Sequence, residues 1–184
     1  MGLPQGQKPV LGSQINWGHP LSRGLKECLL FNEGAGNKVT NLAIQYPESI
    51  TGSNGFSQNV KGTGLSFSTS TKITLQKEPI STTSPFTIIM GVAPSLADHR
   101  ILFTGGANWS VGLWYNSSKK YDFRIVATSL GTYASVVEGQ KVYELNVPVQ
   151  IIARWDYGIN LKLFLNGRLD NSANDANTIL RATG

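Results

Sequence analysis

Apolar and polar residues alternate with a period of two along residues 149–169, which read VQIIARWDYGINLKLFLNGRL. One face of the first run carries the apolar residues Ile151, Ala153 and Trp155. One face of the second run carries Leu161, Leu163 and Leu165. Successive strand side chains point to opposite sides, so this alternation predicts two half-buried antiparallel strands. Asn166-Gly167 predicts the next turn, because both residues tolerate the positive φ of a type I′ hairpin.

The rest of the chain predicts further short strands, at residues 25–31, 64–68, 72–75, 86–92, 101–104, 110–115, 121–128 and 132–137. Residues 86–92 form a nearly continuous apolar run, which predicts a strand in the interior of a sandwich. Residues 41–62 lack periodicity and predict a long surface connection. No segment shows a helical period over ten residues or more. Many short strands separated by turn signals predict an all-β sandwich or barrel.

Prolines and glycines concentrate in the first 24 residues and prevent regular structure there. We therefore predict an N-terminal arm at 1–24 and one β-domain at 25–184. A chain of 184 residues suits a single all-β domain.

Only 15% of the residues are charged, against roughly 25% in an average domain. Ser, Thr, Asn and Gly take their place, which is typical of an extracellular or virion-borne β protein. The net charge is +5, but the basic residues are scattered, with the densest cluster at Lys119-Lys120 near Arg124. Phosphate binding needs a basic stripe, so we expect no nucleic-acid partner.

Cys28 is the only cysteine, so the chain forms no internal disulfide, and its apolar neighbours favour a small buried side chain. One cysteine and two histidines, far apart in sequence, argue against a zinc site. No apolar run reaches membrane-spanning length, so we expect no membrane partner. The N-terminus lacks the apolar core of a signal peptide, and we expect no export by that route.

Six short motifs follow one another along the chain: GL…LFNEGAG (24–36), GTGLSF (62–67), PFTI (85–88), WSVGL (109–113), ARWD (153–156) and LKLFLNG (161–167). Their order and spacing resemble the laminin-G-like, concanavalin A-like lectin/glucanase jelly-roll domain over roughly residues 22–175. The segment NWGHPLSRGL (16–25) is similar to the lead-in of such domains in bacteriophage proteins.

The resemblance implies an antiparallel two-sheet jelly-roll sandwich that binds glycans or proteins, in many members with calcium at the rim. The chain departs from the family at Leu29, where an aromatic is usual, and at Asn41, where an aspartate is common. The family pattern also continues with a last hairpin and strand. We therefore expect either a fragment lacking its final strands or a neighbour covering the open edge.

Relatives of this fold include glucanases, so the acidic residues must be weighed for catalysis. A retaining glycosidase needs two carboxylates about 5–5.5 Å apart. No two of the eleven acidic residues stand two or four positions apart, which leaves only a pair on adjacent strands. The chain also lacks a Gly-x-Ser-x-Gly elbow. We predict that it is not an enzyme, with a glucanase-like hydrolase as the least favoured alternative.

Sugar-binding sites combine exposed aromatic rings with amide and carboxylate groups. The glycan candidates are Trp109, Trp114, Tyr115, Tyr121, Asn116 and Asp122. Alternation within 110–115 puts Trp114 on the face opposite Tyr115; burial in the core is the competing interpretation for the large aromatics. Glu33 and Asn32, in a glycine-rich loop, are calcium candidates, against a plain turn held by side-chain–backbone bonds.

Together these observations favour a non-enzymatic binding or structural module on a bacteriophage virion, such as a capsid decoration or fibre protein. Its partners would be virion or capsid subunits within an assembly, and glycans. The alternative is a carbohydrate-binding module of a larger, secreted extracellular protein.

Overall fold

The computed structural model describes residues 13–52, 54–59, 62–67, 72–74, 84–96, 99–105, 109–127 and 132–175. The chain forms two compact units, Met1–Pro79 and Ile80–Gly184. Within the described residues the only helix is one 3₁₀ turn at Pro20–Ser22, which confirms the all-β prediction. No helix in these ranges is long and apolar enough to cross a membrane. The predicted domain boundary after residue 24 falls inside the first unit and stays a prediction.

The described residues of the first unit form five strands: β1 Lys38–Asn41, β2 Tyr46–Thr51, β3 Asn54–Asn59, β4 Gly62–Phe67 and β5 Lys72–Thr74. They form an antiparallel sheet in the order β1-β2-β5 and a β3-β4 hairpin. Two strands, β2 and β3, therefore occupy the predicted surface connection at 41–62, and that prediction is wrong. Burial alternates along β2, but one of its two buried residues is Glu48 rather than an apolar residue, so the alternation is hidden in the sequence.

The predicted strand at 25–31 is also wrong, apart from one isolated bridge between Leu29 and Asn41. Gly24 and Phe31 at its ends adopt positive φ values of 73° and 55°, which break an extended run. The amide of Cys28 donates to the side-chain Oδ1 of Asn41 at 3.1 Å rather than to a neighbouring strand. The Asn41 side chain therefore takes the place of the neighbouring strand that the sequence predicted as the hydrogen-bond partner of this segment.

In the second unit, the part of the chain that the structure describes forms eight strands: β6 Phe86–Val92, β7 His99–Gly105, β8 Trp109–Tyr115, β9 Tyr121–Ala127, β10 Thr132–Glu138, β11 Val149–Asp156, β12 Asn160–Leu165 and β13 Arg168–Asn174. They form two four-stranded antiparallel sheets. The hairpin sheet has the order β13-β12-β11-β6, and the meander sheet has the order β10-β9-β8-β7. The strands predicted between 86 and 137 are confirmed to within two residues at each end.

The inner faces of these two sheets share one hydrophobic core. The hairpin sheet contributes the alternate residues that the sequence identified, including Trp155, Leu161 and Leu163, each at most 1% exposed. Phe86 of the hairpin sheet meets Phe123 of the meander sheet edge to face, with ring centroids 6.2 Å apart. Burying such a side chain stabilises the fold by about 1.5–3 kcal/mol. The antiparallel sandwich is confirmed.

Strand β6 is not buried on both sides as its apolar run predicted. Its burial alternates, and Ile89 is 66% exposed on the outer face of the hairpin sheet. The predicted turn at Asn166 and Gly167 is confirmed, because both residues adopt positive φ, 50° and 78°. The Asn166 side chain also accepts a hydrogen bond from the Gln150 amide at 2.9 Å, which holds this turn against the start of β11.

A buried carboxylate ties the two sheets together at one end of the core. Asp175 is 7% exposed and accepts hydrogen bonds from the Ser135 hydroxyl at 2.7 Å and the Trp155 indole at 2.8 Å. The Gly158 amide donates to the same carboxylate at 3.0 Å. Ser135 belongs to the meander sheet and Trp155 to the hairpin sheet, so this one side chain bridges both.

Candidate functional site

The outer face of the meander sheet carries Trp114, as the alternation in β8 predicted. Its ring lies flat over Gly112, where an added Cβ would come within 1.7 Å of a ring atom. The Arg124 guanidinium covers the ring, with its central carbon 4.8 Å from the ring centroid. Only 8% of Trp114 is exposed, so the ring is sandwiched between backbone and a cation rather than open to a sugar.

Polar side chains surround this tryptophan and form a connected network. Arg124 Nη2 lies 2.5 Å from Asp122 Oδ2, and the Asn116 side-chain amide donates to Asp122 Oδ1 at 3.1 Å. Lys120 Nζ lies 3.1 Å from Glu138 Oε1. The predicted candidates Trp114, Asn116 and Asp122 thus come together, but Asp122 is only 1% exposed and already holds a cation.

The two tyrosines among the predicted glycan-binding residues lie in the hydrophobic core instead. Tyr115 and Tyr121 have no exposed surface, because their positions in β8 and β9 face the hairpin sheet. Tyr121 packs between Tyr115 and Tyr143, with ring centroids 5.1 Å and 5.5 Å away, and burial raises its pKa above the ordinary range. Neither Tyr115 nor Tyr121 presents a ring face to a ligand, which corrects their selection as stacking residues. The side chain of Trp109 lies outside the described residues.

The structure brings one pair of acids together in the first unit. The Asn41 side-chain amide donates to Glu27 and, at 3.3 Å, to Glu48. Burial and the nearby Glu48 raise the pKa of Glu27, against the opposing hydrogen bond from Asn41. Glu48 has no exposed surface, however, so a polysaccharide cannot reach both carboxylates. The pair joins residues 27–28 to β1 and β2 and does not resemble a hydrolase cleft.

Glu33, a predicted calcium candidate, is held in a turn. Its Oε1 accepts a hydrogen bond from the Thr40 amide at 2.7 Å. Calcium takes six to eight oxygen ligands, whereas Glu33 is the only carboxylate of the 32–37 loop. Across the described ranges no three His, Cys, Asp or Glu residues cluster as metal ligands. These residues do not fit a calcium cage by themselves, and calcium binding by Glu33 and Asn32 stays a prediction.

A shallow depression of about 420 Å³ lies at the end of the β11–β12 hairpin; we call it the hairpin depression. It is lined by Pro85, Arg154, Asp156, Tyr157 and Ile159. Tyr157 is 36% exposed and is supported from behind by an edge contact with Trp155, at a centroid distance of 5.2 Å. Ile159 beside it is 66% exposed.

Charged groups border the exposed ring. Asp156 accepts hydrogen bonds from Arg154 Nε at 2.7 Å and from Lys162 Nζ at 3.2 Å. Burial alone would raise the pKa of Asp156, but the hydrogen bonds and charges of Arg154 and Lys162 outweigh it and hold the pKa below its ordinary value. The Asp156 carboxylate therefore accepts hydrogen bonds from two cationic donors. Sequence reasoning passed over Tyr157 because it stands in a hairpin connection, although an aromatic between Asp156 and Asn160 was a usable signal.

A family model described as the concanavalin A-like lectin/glucanases superfamily matches residues 67–184. Among solved structures, the chain is similar to the crystal structure of the binding domain of Paraclostridial Mosquitocidal Protein 1, with 15% identity and a TM-score of 0.62. That likeness covers 84% of this chain but 41% of the other, and at this identity it shows the fold alone. No curated protein matches the chain.

Proposed function

The chain belongs to the concanavalin A-like lectin/glucanase superfamily, and on that premise we propose that it is a non-catalytic module that binds a carbohydrate at the hairpin depression. The observation that carries the proposal is Tyr157, an exposed ring held by Trp155 beside a fixed row of charged donors and acceptors.

The chemistry of the depression suits a sugar. Pyranose rings offer C–H faces, which pack on aromatic rings, and hydroxyl groups, which hydrogen-bond at the ring edge. Tyr157 and Ile159 supply the apolar surface, while Asp156 and Arg154 supply an acceptor and a donor. The depression is shallow, so it suits a segment of an extended glycan better than an enclosed small molecule.

The state of the carboxylates supports binding without catalysis. A general acid needs a raised pKa at an open site. Arg154 and Lys162 instead lower the pKa of Asp156, and Asp122 is only 1% exposed. Glu27 has a raised pKa, but its neighbour Glu48 is sealed from solvent.

A glycan array with the full chain tests the proposal directly. The matched variants are Tyr157→Ala and Tyr46→Ala, because Tyr46 is an exposed tyrosine (49%) in the first unit. We expect array signals that disappear in Tyr157→Ala and persist in Tyr46→Ala. If the wild-type protein gave no signal for any glycan on the array, the proposal that its ligand is a glycan would be wrong. Loss in a folded Trp114→Ala variant, with Tyr157→Ala unaffected, would instead move the site to the outer face of the meander sheet.

We propose more specifically that the chain is a component of a bacteriophage particle, either a capsid decoration protein or a fibre protein. Its support is the resemblance of residues 16–25 and the uncharged, hydrogen-bonding composition. Electron microscopy of the native assembly tests it. Density for this sandwich on a virion is expected, and a free monomer with no particle partner would count against it.

A further inference from the structure

The guanidinium of Arg154 is held at only one of its three nitrogens. Its Nε donates to Asp156 Oδ1 at 2.7 Å. Within the part of the chain that the structure describes, no group accepts a hydrogen bond from its Nη1 or Nη2. The side chain is 54% exposed and lines the hairpin depression. The two terminal nitrogens are therefore available to a ligand that occupies the depression.

The ion pair with Asp156 does not cancel the positive charge at this place. Asp156 shares its single negative charge between Arg154 and Lys162, whose Nζ lies 3.2 Å from Asp156 Oδ2. Two cations and one anion leave the set with one net positive charge. The negative partner is also the least accessible of the three, since its side chain is 15% exposed. The depression therefore favours an anionic group over a cationic one.

The residues that cross the outer face of the hairpin sheet beside the depression include no carboxylate. This row takes one residue from each strand: Thr87, Arg154, Lys162 and Ser172. The hydroxyl-bearing residues Thr87 and Ser172 are both exposed. With strands about 4.8 Å apart, the row runs roughly 14 Å across the sheet. An extended ligand that follows it meets hydroxyl groups on both sides of the two cations.

The geometry of a guanidinium favours one kind of anion. Its two terminal nitrogens form a planar fork that matches the two oxygens of a carboxylate, so two parallel hydrogen bonds form at once. A single sugar hydroxyl cannot accept both bonds in this way. Because Asp156 already holds Arg154 by Nε, the guanidinium is oriented before a ligand arrives, and less side-chain freedom is lost on binding.

From this arrangement we propose that the hairpin depression selects a glycan that carries a carboxylate, such as a uronic acid. Arg154 binds the carboxylate through Nη1 and Nη2, while Tyr157 and Ile159 pack against the sugar ring. This inference rests on the proposed function and names the ligand class for the same site.

Affinities for matched oligosaccharides, measured by isothermal titration calorimetry with the full chain, test the ligand class. The probes are oligosaccharides of galacturonate, alginate and hyaluronan, each beside its carboxyl-reduced form, in which a primary alcohol replaces every carboxylate. We expect at least one acidic oligosaccharide to bind about tenfold or more tightly than its reduced form, because hydrogen bonds between charged groups are the stronger ones. Carrageenan oligosaccharides, which carry sulfate but no carboxylate, should bind more weakly than that uronate. Tighter binding of the sulfated probe would overturn the carboxylate.

Variants of Arg154 test the fork. Arg154→Gln should bring the ratio of the two affinities close to one, and Arg154→Lys should also reduce it, because lysine keeps the charge but not the planar fork. The control is Arg168→Gln, which removes the same charge from an exposed arginine of the same sheet outside the depression and should leave the ratio unchanged. Urea midpoints near that of the wild type would show that each variant is folded.

The outcomes separate this inference from the proposed function. If no oligosaccharide binds, either here or on the glycan array, both are wrong. If the reduced forms bind as tightly as the acidic forms, the glycan-binding function stands and the carboxylate ligand is wrong. A preference for the acid that persists in folded Arg154→Gln would contradict the role of Arg154. A full preference in Arg154→Lys would show that charge alone suffices and would overturn the fork.

Discussion

Replacing Asp175 tests how strongly one buried carboxylate holds the two sheets together. Asp175→Ala removes the common acceptor of Ser135, Trp155 and Gly158, and all three donors are oriented at 2.7–3.0 Å. A hydrogen bond to a charged group contributes about 1.5–3 kcal/mol, but bonds that share one acceptor do not add. A buried donor that is left without an acceptor typically costs about 1–3 kcal/mol. We expect a loss of this size, against a total stability of about 5–15 kcal/mol for a domain.

Urea unfolding followed by far-ultraviolet circular dichroism measures this loss. Fluorescence is less suitable, because Trp155 itself loses a hydrogen bond in the variant. The matched control is Asp170→Ala, since Asp170 accepts a hydrogen bond from the Gln140 amide at an exposed site and should cost less than about 1 kcal/mol. In a double-mutant cycle with Ser135→Ala, a coupling of about 1–2 kcal/mol is expected. A cost below about 1 kcal/mol for Asp175→Ala, with an unchanged denaturant slope, would refute the bridging role.

Two further predictions concern the meander sheet. Gly112→Ala places a methyl group into the Trp114 ring, so we expect a loss of about 1–3 kcal/mol and a red-shifted tryptophan emission; a wild-type spectrum and stability would contradict the stacked geometry. Burial raises the pKa of three core tyrosines above the ordinary value of 10.0: Tyr115, Tyr121 and Tyr143. A pKa raised by folding leaves stability intact below pH 10 and reduces it as pH rises further, so the melting temperature should fall above that pH. Tyrosinate absorbance in which all six tyrosines of the folded chain titrate near pH 10 would show that these rings are not buried.

The second unit was predictable because its buried positions are almost all apolar. In β11 and β12 every second residue is Val, Ile, Ala, Trp or Leu, so the period of two is recognisable without knowledge of the partner strands. The Asn166-Gly167 turn was also predictable, because both residues tolerate positive φ, but the strand β13 that follows it was not predicted. Exposed Ile89 in β6 shows the limit: an apolar run indicates a strand but not whether both faces are covered.

The first unit was less predictable because polar side chains replace strand partners there. Glu48 is buried within β2, where sequence reasoning expects a surface residue, and the Asn41 side chain satisfies it. The positive φ of Phe31 is rare for an aromatic residue, and nothing in the local sequence signals it. Such local exceptions depend on contacts between residues distant along the chain.

The candidate site was only partly predictable, for a related reason. The alternation in β8 correctly put Trp114 on the outer face, but its burial depends on Gly112 below and Arg124 above, and the latter comes from another strand. Exposure of an aromatic ring is a property of its neighbours in space. Tyr157 was missed for the same reason, because its support by Trp155 appears only when the hairpin is folded.

The central claim is that alternate residues of two sheets face one another across a single core. The most direct measurement is a nuclear Overhauser experiment between the rings of Phe86 and Phe123, which lie in different sheets with centroids 6.2 Å apart. The account predicts cross-peaks between assigned protons of the two rings in the native protein. Their absence, with both rings assigned and the protein folded, would contradict the face-to-face sandwich.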